Sequence, residues 1–88
     1  MYLHLGADQI VRLVDLVAVL RGEVGQDGST REMIQSLRAA GKVETIPGGS
    51  PRSLVLTTDK LYLSPVSALT LKKRAESRSL QWTEDDRR

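Results

Sequence analysis

Hydrophobic and polar residues alternate with a period of two at the start of this chain, a pattern typical of short strands with one buried face. The first such run covers residues 1–5, where Leu3 and Leu5 share one side. A turn at 6–8 follows, and a second run covers 9–13. The pattern predicts that the chain opens with two short strands.

The next apolar segment, 16–21, has the sequence LVAVLR and predicts a third strand. The residues before it, Val14 and Asp15, include no glycine or proline for a tight turn, so we expect a bend or a bulge there. A helix across 9–20 is the main alternative. Strand is favoured because five β-branched residues fall in this range: Ile10, Val11, Val14, Val17 and Val19.

A glycine-rich loop at 22–28 precedes the best-signalled helix of the chain. Ser29 and Glu32 have the spacing of a capping box, which predicts Ser29 as the N-cap. Gly41 is well placed to end the helix in a left-handed conformation. Four apolar residues form the stripe expected to pack on a sheet: Met33, Ile34, Leu37 and Ala40.

The second half of the chain predicts three further strands, the last two joined by a tight turn, and a last helix. The expected order is a strand at 43–46, a hairpin loop at 47–51, strands at 53–57 and 60–63 around a turn at 58–59, and a helix opened by Ser64 as N-cap and Pro65 at its first position. The class is therefore α+β, with a mostly antiparallel sheet of five or six short strands, one central helix and a C-terminal helix.

A chain of 88 residues is one domain at most. We expect that domain to span 1–78, followed by a polar, flexible tail at 79–88 that carries the single tryptophan, Trp82. The strand segments 54–56 and 17–20 are apolar on both faces and must be covered on both sides. The second cover has to come from the C-terminal helix or from another subunit, which predicts self-association.

Composition argues against an enzyme or a metal protein. There is no cysteine, and His4 is the only histidine. Ser64 and Ser67 are interpreted as caps or polar helix-start residues rather than as nucleophiles, because no histidine is in the context of a general base. The loop at 47–51 leads into a strand, so it does not match a nucleotide-binding loop. We expect no catalytic residue, no cofactor, no metal and no small-molecule substrate.

The N-terminal segment lacks the features of a targeting or membrane segment. Asp8, Arg12 and Asp15 interrupt its apolar run. We therefore expect no signal peptide and no membrane span, and a cytoplasmic protein.

Positive charge is concentrated in the C-terminal part. Residues 1–60 hold seven basic and seven acidic side chains, whereas the whole chain carries a net charge of +2. The dense cluster is Lys72, Lys73 and Arg74, interpreted as the end of the last helix, where cations complement the helix dipole. With Arg52 at the mouth of the 47–51 loop, these four residues are the candidate contacts for an anionic partner.

At these residues the chain resembles a known family. The N-terminal YLHLG, the segment RSLVLT from Arg52, and the run KLYLSPVSALTLKKR from Lys60 to Arg74 are similar to the small bacterial extracellular matrix regulators RemA and RemB, and most similar to the RemB branch. The resemblance covers residues 1 to 76. It implies a LytTR-like fold, a cytosolic location and closed homo-oligomeric rings of roughly seven or eight subunits.

The resemblance also implies a function, DNA binding in the control of biofilm matrix genes through repeated phosphate contacts on the ring. In RemA-type members it places DNA-contacting arginines at positions that here hold Gly49, Ser50 and Asp15, so that only Arg52 keeps a positive charge nearby. The alternative is an oligomeric scaffold or interaction protein that partners a DNA-binding paralogue without binding DNA itself.

Overall fold

The structure is a computed structural model that describes the backbone of residues 1–86 and the side chains of residues 1–77. Its strands and helices are β1 (Tyr2–Gly6), β2 (Gln9–Arg12), β3 (Leu16–Arg21), α1 (Gly28–Ala39), β4 (Val43–Thr45), β5 (Ser53–Thr57), β6 (Leu61–Ser64) and α2 (Ala68–Asp86). Short 3₁₀ turns occupy Leu13–Asp15 and Gly22–Gln26. The α+β class is confirmed, and the alternative of one helix across 9–20 is wrong.

The strands form two sheets, where the sequence had predicted one. β1 and β2 make a two-stranded antiparallel hairpin, while the larger sheet has the order β3-β5-β6-β4. β3, β5 and β6 pair antiparallel, but β4 pairs parallel with β6. The loop at 47–51 is therefore a crossover connection, and its prediction as a hairpin was wrong.

Both faces of the larger sheet are covered within the chain. One face carries β1, β2 and the start of α2, and it holds the main buried cluster: Leu3, Leu5, Val11, Val19, Ile46, Val55, Tyr62, Ala68 and Leu71. Leu54 and Leu61 are buried on the other face, where α1 packs with Met33, Ile34 and Leu37 half-buried. The two-sided apolar strand β5 thus needs no second subunit, and that argument for self-association fails.

The ends of α1 show one missed cap and one confirmed cap. The helix begins at Gly28 with Asp27 as its N-cap, so Ser29 lies inside the first turn and the predicted capping box is wrong. Gly41, with φ of 73°, ends the helix as predicted. Its N–H donates to Arg38 O at 3.0 Å, and the N–H of Lys42 donates to Leu37 O at 2.8 Å. This is the Schellman pattern, which satisfies the last free carbonyls.

α2 begins three residues later than the sequence predicted, at Ala68 rather than at Pro65. Its cap is Ser67, whose Oγ accepts a hydrogen bond from Thr70 N at 3.2 Å. Ser64 is the last residue of β6, and Pro65 lies in the connection, so their predicted roles as N-cap and first helical residue are wrong. The interpretation of Ser67 as a capping residue is confirmed.

Ser64 instead joins the two sheets. Its side chain is fully buried, its Oγ donates to Leu5 O of β1 at 2.6 Å, and it accepts from Val66 N at 3.0 Å. An unsatisfied buried polar group costs about 1–3 kcal/mol. We expect Ser64→Ala to lower the free energy of unfolding by that amount, measured by chemical denaturation followed by circular dichroism.

Ser29→Ala is the matched control for this prediction. Ser29 is exposed and does not cap α1, so its substitution should change the free energy of unfolding by less than about 0.5 kcal/mol. Equal losses in the two variants would contradict the role assigned to the Ser64 hydroxyl.

The expected tail at 79–88 overlaps the C-terminal part of α2, which the structure extends to Asp86. Its side chains, including that of Trp82, lie outside the described residues, so the predicted flexibility of this segment stays a prediction. No helix in the part of the chain that the structure describes is both long enough and apolar enough to cross a membrane.

Candidate nucleic-acid interface

Arg52 occupies a fixed backbone position just before β5. Its N–H donates to Ser64 O at 2.7 Å, and its carbonyl accepts from Gly22 N at 3.0 Å. A Cβ at Gly22 would lie 3.1 Å from the Arg52 carbonyl carbon and oxygen, so only a glycine allows this close approach without a shift. The Arg52 residue itself is exposed. The fold therefore holds the base of this side chain rigidly while the side chain faces solvent.

An open groove of about 450 Å³ lies beside Arg52, between the end of β3, the 3₁₀ turn after it and the start of α2. Its charged lining residues are Arg21, Arg52 and Glu23; Gln26 and Ser67 add polar groups. Because Arg21 pairs with Ser53 across the β3–β5 ladder, the two arginines stand at the same end of the sheet. The positive end of the α2 dipole also lies at this groove. We call it the Arg21–Arg52 groove.

Arg21 was not among the residues singled out from the sequence. It lies far from Arg52 along the chain, at the end of an apolar strand and before a glycine-rich segment, where a single arginine carries no motif. Knowledge that the third strand pairs with the fifth would have aligned the end of the third strand with the start of the fifth, and so would have placed Arg21 near Arg52. That pairing is a tertiary property and could not be read from local pattern.

The lysine and arginine cluster of α2 does not lie at a helix end. Because α2 continues to Asp86, Lys72, Lys73 and Arg74 occupy its second turn, and the expectation that they complement the dipole at the C-terminus was wrong. All three are exposed.

Nor does this cluster form one patch. A rotation of about 100° per residue turns Lys72 and Arg74 to opposite flanks of the helix, with Lys73 facing outward. Arg74 Nη1 donates to His4 O of β1 at 3.2 Å. Lys73 follows Leu69 by one turn on the same side, and Leu69 lines the Arg21–Arg52 groove. The lysines therefore extend from the groove, whereas Arg74 points toward β1.

The crossover loop at 47–51 carries no cation. Its Gly48 and Gly49 have φ of 130° and 113°, and a Cβ at Gly48 would lie 3.0 Å from Pro65 Cγ, so the loop packs closely on the connection before α2. Ser50 is exposed. With no charged group of its own, the loop offers an anion only backbone and hydroxyl contacts.

Asp15, at the bend between β2 and β3, is held by an ion pair. Arg12 Nε donates to Asp15 Oδ2 at 2.9 Å, and this hydrogen bond, followed by the charge of the carboxylate, raises the pKa of Arg12. The backbone carbonyl of Asp15 accepts from Thr58 N at 2.9 Å, which ties the bend to the β5–β6 turn. Position 15 thus serves a local structural role and presents no free cation.

His4 is occupied by its own hairpin. Its Nε2 donates to Ala7 O at 2.7 Å, across the turn where Ala7 has φ of 47°. Within residues 1–77, no group of three or more histidine, aspartate or glutamate side chains is placed to hold a metal ion.

Apolar residues are also exposed, around the connection from β2 to β3. Val14 is 78% exposed and Val17 is 58% exposed. Val17 lies where the β3–β5 register shifts, and β3 is an edge strand of the larger sheet. Large apolar side chains on an unpaired edge are typical of surfaces that meet another chain.

The fold and these surfaces define a small α+β domain that presents arginines and lysines at one end and apolar residues along one sheet edge. Comparison with known proteins shows the family to which this domain belongs. The family described as RemA-like, extracellular matrix regulatory protein A-like, matches residues 2–75. A relative, extracellular matrix regulatory protein B of Bacillus subtilis (strain 168), is 36% identical over 76 residues, which cover 86% of this chain and 91% of the relative. The chain therefore belongs to the RemA-like family, as its sequence predicted.

Proposed function

We propose that this protein is a DNA-binding transcriptional regulator of biofilm extracellular matrix genes that acts as a cytoplasmic ring-shaped homo-oligomer. Membership of a family of extracellular matrix regulatory proteins supports the regulatory part of this proposal. The proposed DNA contacts are Arg52, Lys72, Lys73 and Arg74, made mainly with phosphates.

The strongest support for DNA binding is the position of Arg52. Two backbone hydrogen bonds fix its main chain, and within the described part of the chain its guanidinium forms no ion pair within 4.0 Å. A rigidly based, unpaired arginine suits phosphate, because the planar guanidinium donates two parallel hydrogen bonds to one anion. Repeated on each subunit of a ring, such a contact adds to the total affinity without any single contact being strong.

The proposed homo-oligomer has a candidate surface in two exposed valines, Val14 in the β2–β3 connection and Val17 in β3. Both are apolar, and β3 is an edge strand that, within the described residues, pairs with another strand on one side only. Their burial between subunits would remove apolar area from water at about 25 cal/mol per Å².

Titration of a promoter-length duplex by fluorescence anisotropy at low salt tests the DNA proposal. We expect binding that weakens as salt is raised, because the release of counterions from phosphates drives it. Arg52→Ala should weaken binding and lower the salt slope by about one for each subunit in contact. The control is Arg31→Ala, which removes the same charge from the exposed face of α1. No binding at low salt, or equal effects of the two variants, contradicts the proposal.

A second candidate function is that of an oligomeric scaffold that partners a DNA-binding paralogue. The absence of any cation from the 47–51 loop and the ion-paired Asp15 favour it. The same titration separates the two: a scaffold leaves the duplex free by itself and changes the anisotropy only when the paralogue is added.

A further inference from the structure

We infer that the Arg21–Arg52 groove is a phosphodiester-binding site, with Arg21 as a second phosphate contact beside Arg52. The inference rests on the proposed DNA binding and assigns its centre to the junction of β3, β5 and α2. On this assignment the main phosphate contacts lie in the groove and not in the crossover loop at 47–51, which holds no cation.

The register of the sheet brings the two arginines together. Arg21 ends β3 opposite Ser53, so it shares with Ser53 the sheet face on which α2 lies. The next residue, Gly22, is bonded through its N–H to the Arg52 carbonyl. The two arginines therefore line one groove from neighbouring backbone positions. This junction is rigid, since both backbones belong to or adjoin a hydrogen-bonded ladder.

Among residues 1–77, whose side chains the structure describes, the charges of the groove have no ion-pair partner. Within the described residues, the ion pairs are Arg12 with Asp15 and Lys60 with Glu44, and neither Arg21 nor Arg52 takes part. Of the described residues that line the groove, Glu23 alone is a carboxylate, and it forms no ion pair with either arginine. Two cations placed side by side repel, and a bound anion removes that repulsion. The free guanidinium donors also match phosphate oxygens in geometry.

The shape of the groove favours a phosphate of an extended polymer. The groove is open to solvent, and its charged side chains are exposed, so it does not enclose a small molecule. The phosphate of a duplex needs contact on one side only, because its neighbours along the strand hold it in place. Lys72 and Lys73 lie one turn of α2 beyond the groove and would meet the next phosphates.

The test compares Arg21→Gln, Arg52→Gln and the double variant with Arg38→Gln, an exposed arginine of α1 that removes the same charge. The probe is a fluorescein-labelled duplex titrated at several salt concentrations. We expect Arg21→Gln to weaken binding about fivefold to tenfold for each subunit in contact, with a salt slope lower by about one. Two arginines on one phosphate should also show a non-additive double variant.

The outcomes separate this inference from the proposal on which it depends. If the unmodified protein binds the duplex and Arg21→Gln behaves like Arg38→Gln, the groove assignment is overturned while DNA binding stands. If the unmodified protein does not bind duplex at low salt, both are overturned. Unchanged thermal unfolding of Arg21→Gln, followed by circular dichroism, shows that a loss of binding is not a loss of fold.

Discussion

Leu71→Ala is expected to lower the free energy of unfolding by about 2–5 kcal/mol, because it leaves a cavity where the two sheets and α2 meet. Leu71 is fully buried, in the same cluster as Leu3, Leu5 and Val55. A domain of this size has a total stability of about 5–15 kcal/mol, so the loss is a large part of the whole. Urea denaturation followed by circular dichroism measures it, at several protein concentrations because association would add to stability.

Leu69→Ala is the control for this prediction on the same helix. Leu69 is 65% exposed, and the same chemical change there should alter the free energy of unfolding by no more than about 0.5 kcal/mol. If the two variants unfold alike, α2 is not docked through its Leu71 face, and the assignment of the core cluster is wrong.

Val17→Asp is expected to convert the proposed ring into smaller species. The substitution puts a carboxylate in place of an apolar side chain that is 58% exposed on the edge strand β3. Burying an unpaired charge between subunits costs several kcal/mol, which exceeds what one contact of this size contributes. Native mass spectrometry at micromolar concentration measures the subunit number.

A matched charge elsewhere on the surface serves as the control. Ser36→Asp adds the same carboxylate to the exposed face of α1 and should leave the subunit number unchanged. If the Val17→Asp variant still forms the ring, the subunit interface lies on another surface. An unmodified protein that is monomeric at this concentration contradicts the homo-oligomer itself. Because avidity requires several linked sites, loss of the ring should weaken DNA binding even though Arg52 is intact.

Local sequence pattern predicted the individual elements well. The strand at 53–57 has the predicted bounds, and the turn that follows closes through Thr57, whose Oγ1 accepts from the N–H groups of Asp59 and Lys60. Gly41 ended α1 as expected. These features depend on residues close together in the chain, where backbone preference and side-chain capping act directly.

Two serine caps were predicted wrongly, and the reason differs. At α1, Asp27 takes the N-cap position because the preceding 3₁₀ turn ends there, two residues earlier than the capping box suggested. At α2, the Ser64 hydroxyl does not cap the helix, because it donates a hydrogen bond to Leu5 O of the other sheet. A buried hydroxyl must be satisfied where it lies, and a long-range partner then overrides a local motif.

The candidate site was only partly accessible from sequence. Arg52 was singled out at the mouth of the loop and Lys72 and Lys73 as a dense charge run; all three are exposed, and their contacts with DNA stay a prediction. Arg21 was missed, since its neighbourhood forms only when β3 pairs with β5. Arg74 was grouped with the lysines by sequence, but its contact with His4 O directs it to the opposite flank of α2.

The sequence by itself determined the family, the α+β class, the order of strands and helices and the surplus of positive charge after residue 60. The tertiary structure decided the split into two sheets, the parallel pairing of β4 with β6 and the meeting of Arg21 with Arg52. The physical reason is the distance along the chain over which each interaction acts. Periodicity and capping act over a few residues, whereas strand pairing joins segments whose mutual register depends on how the whole core packs.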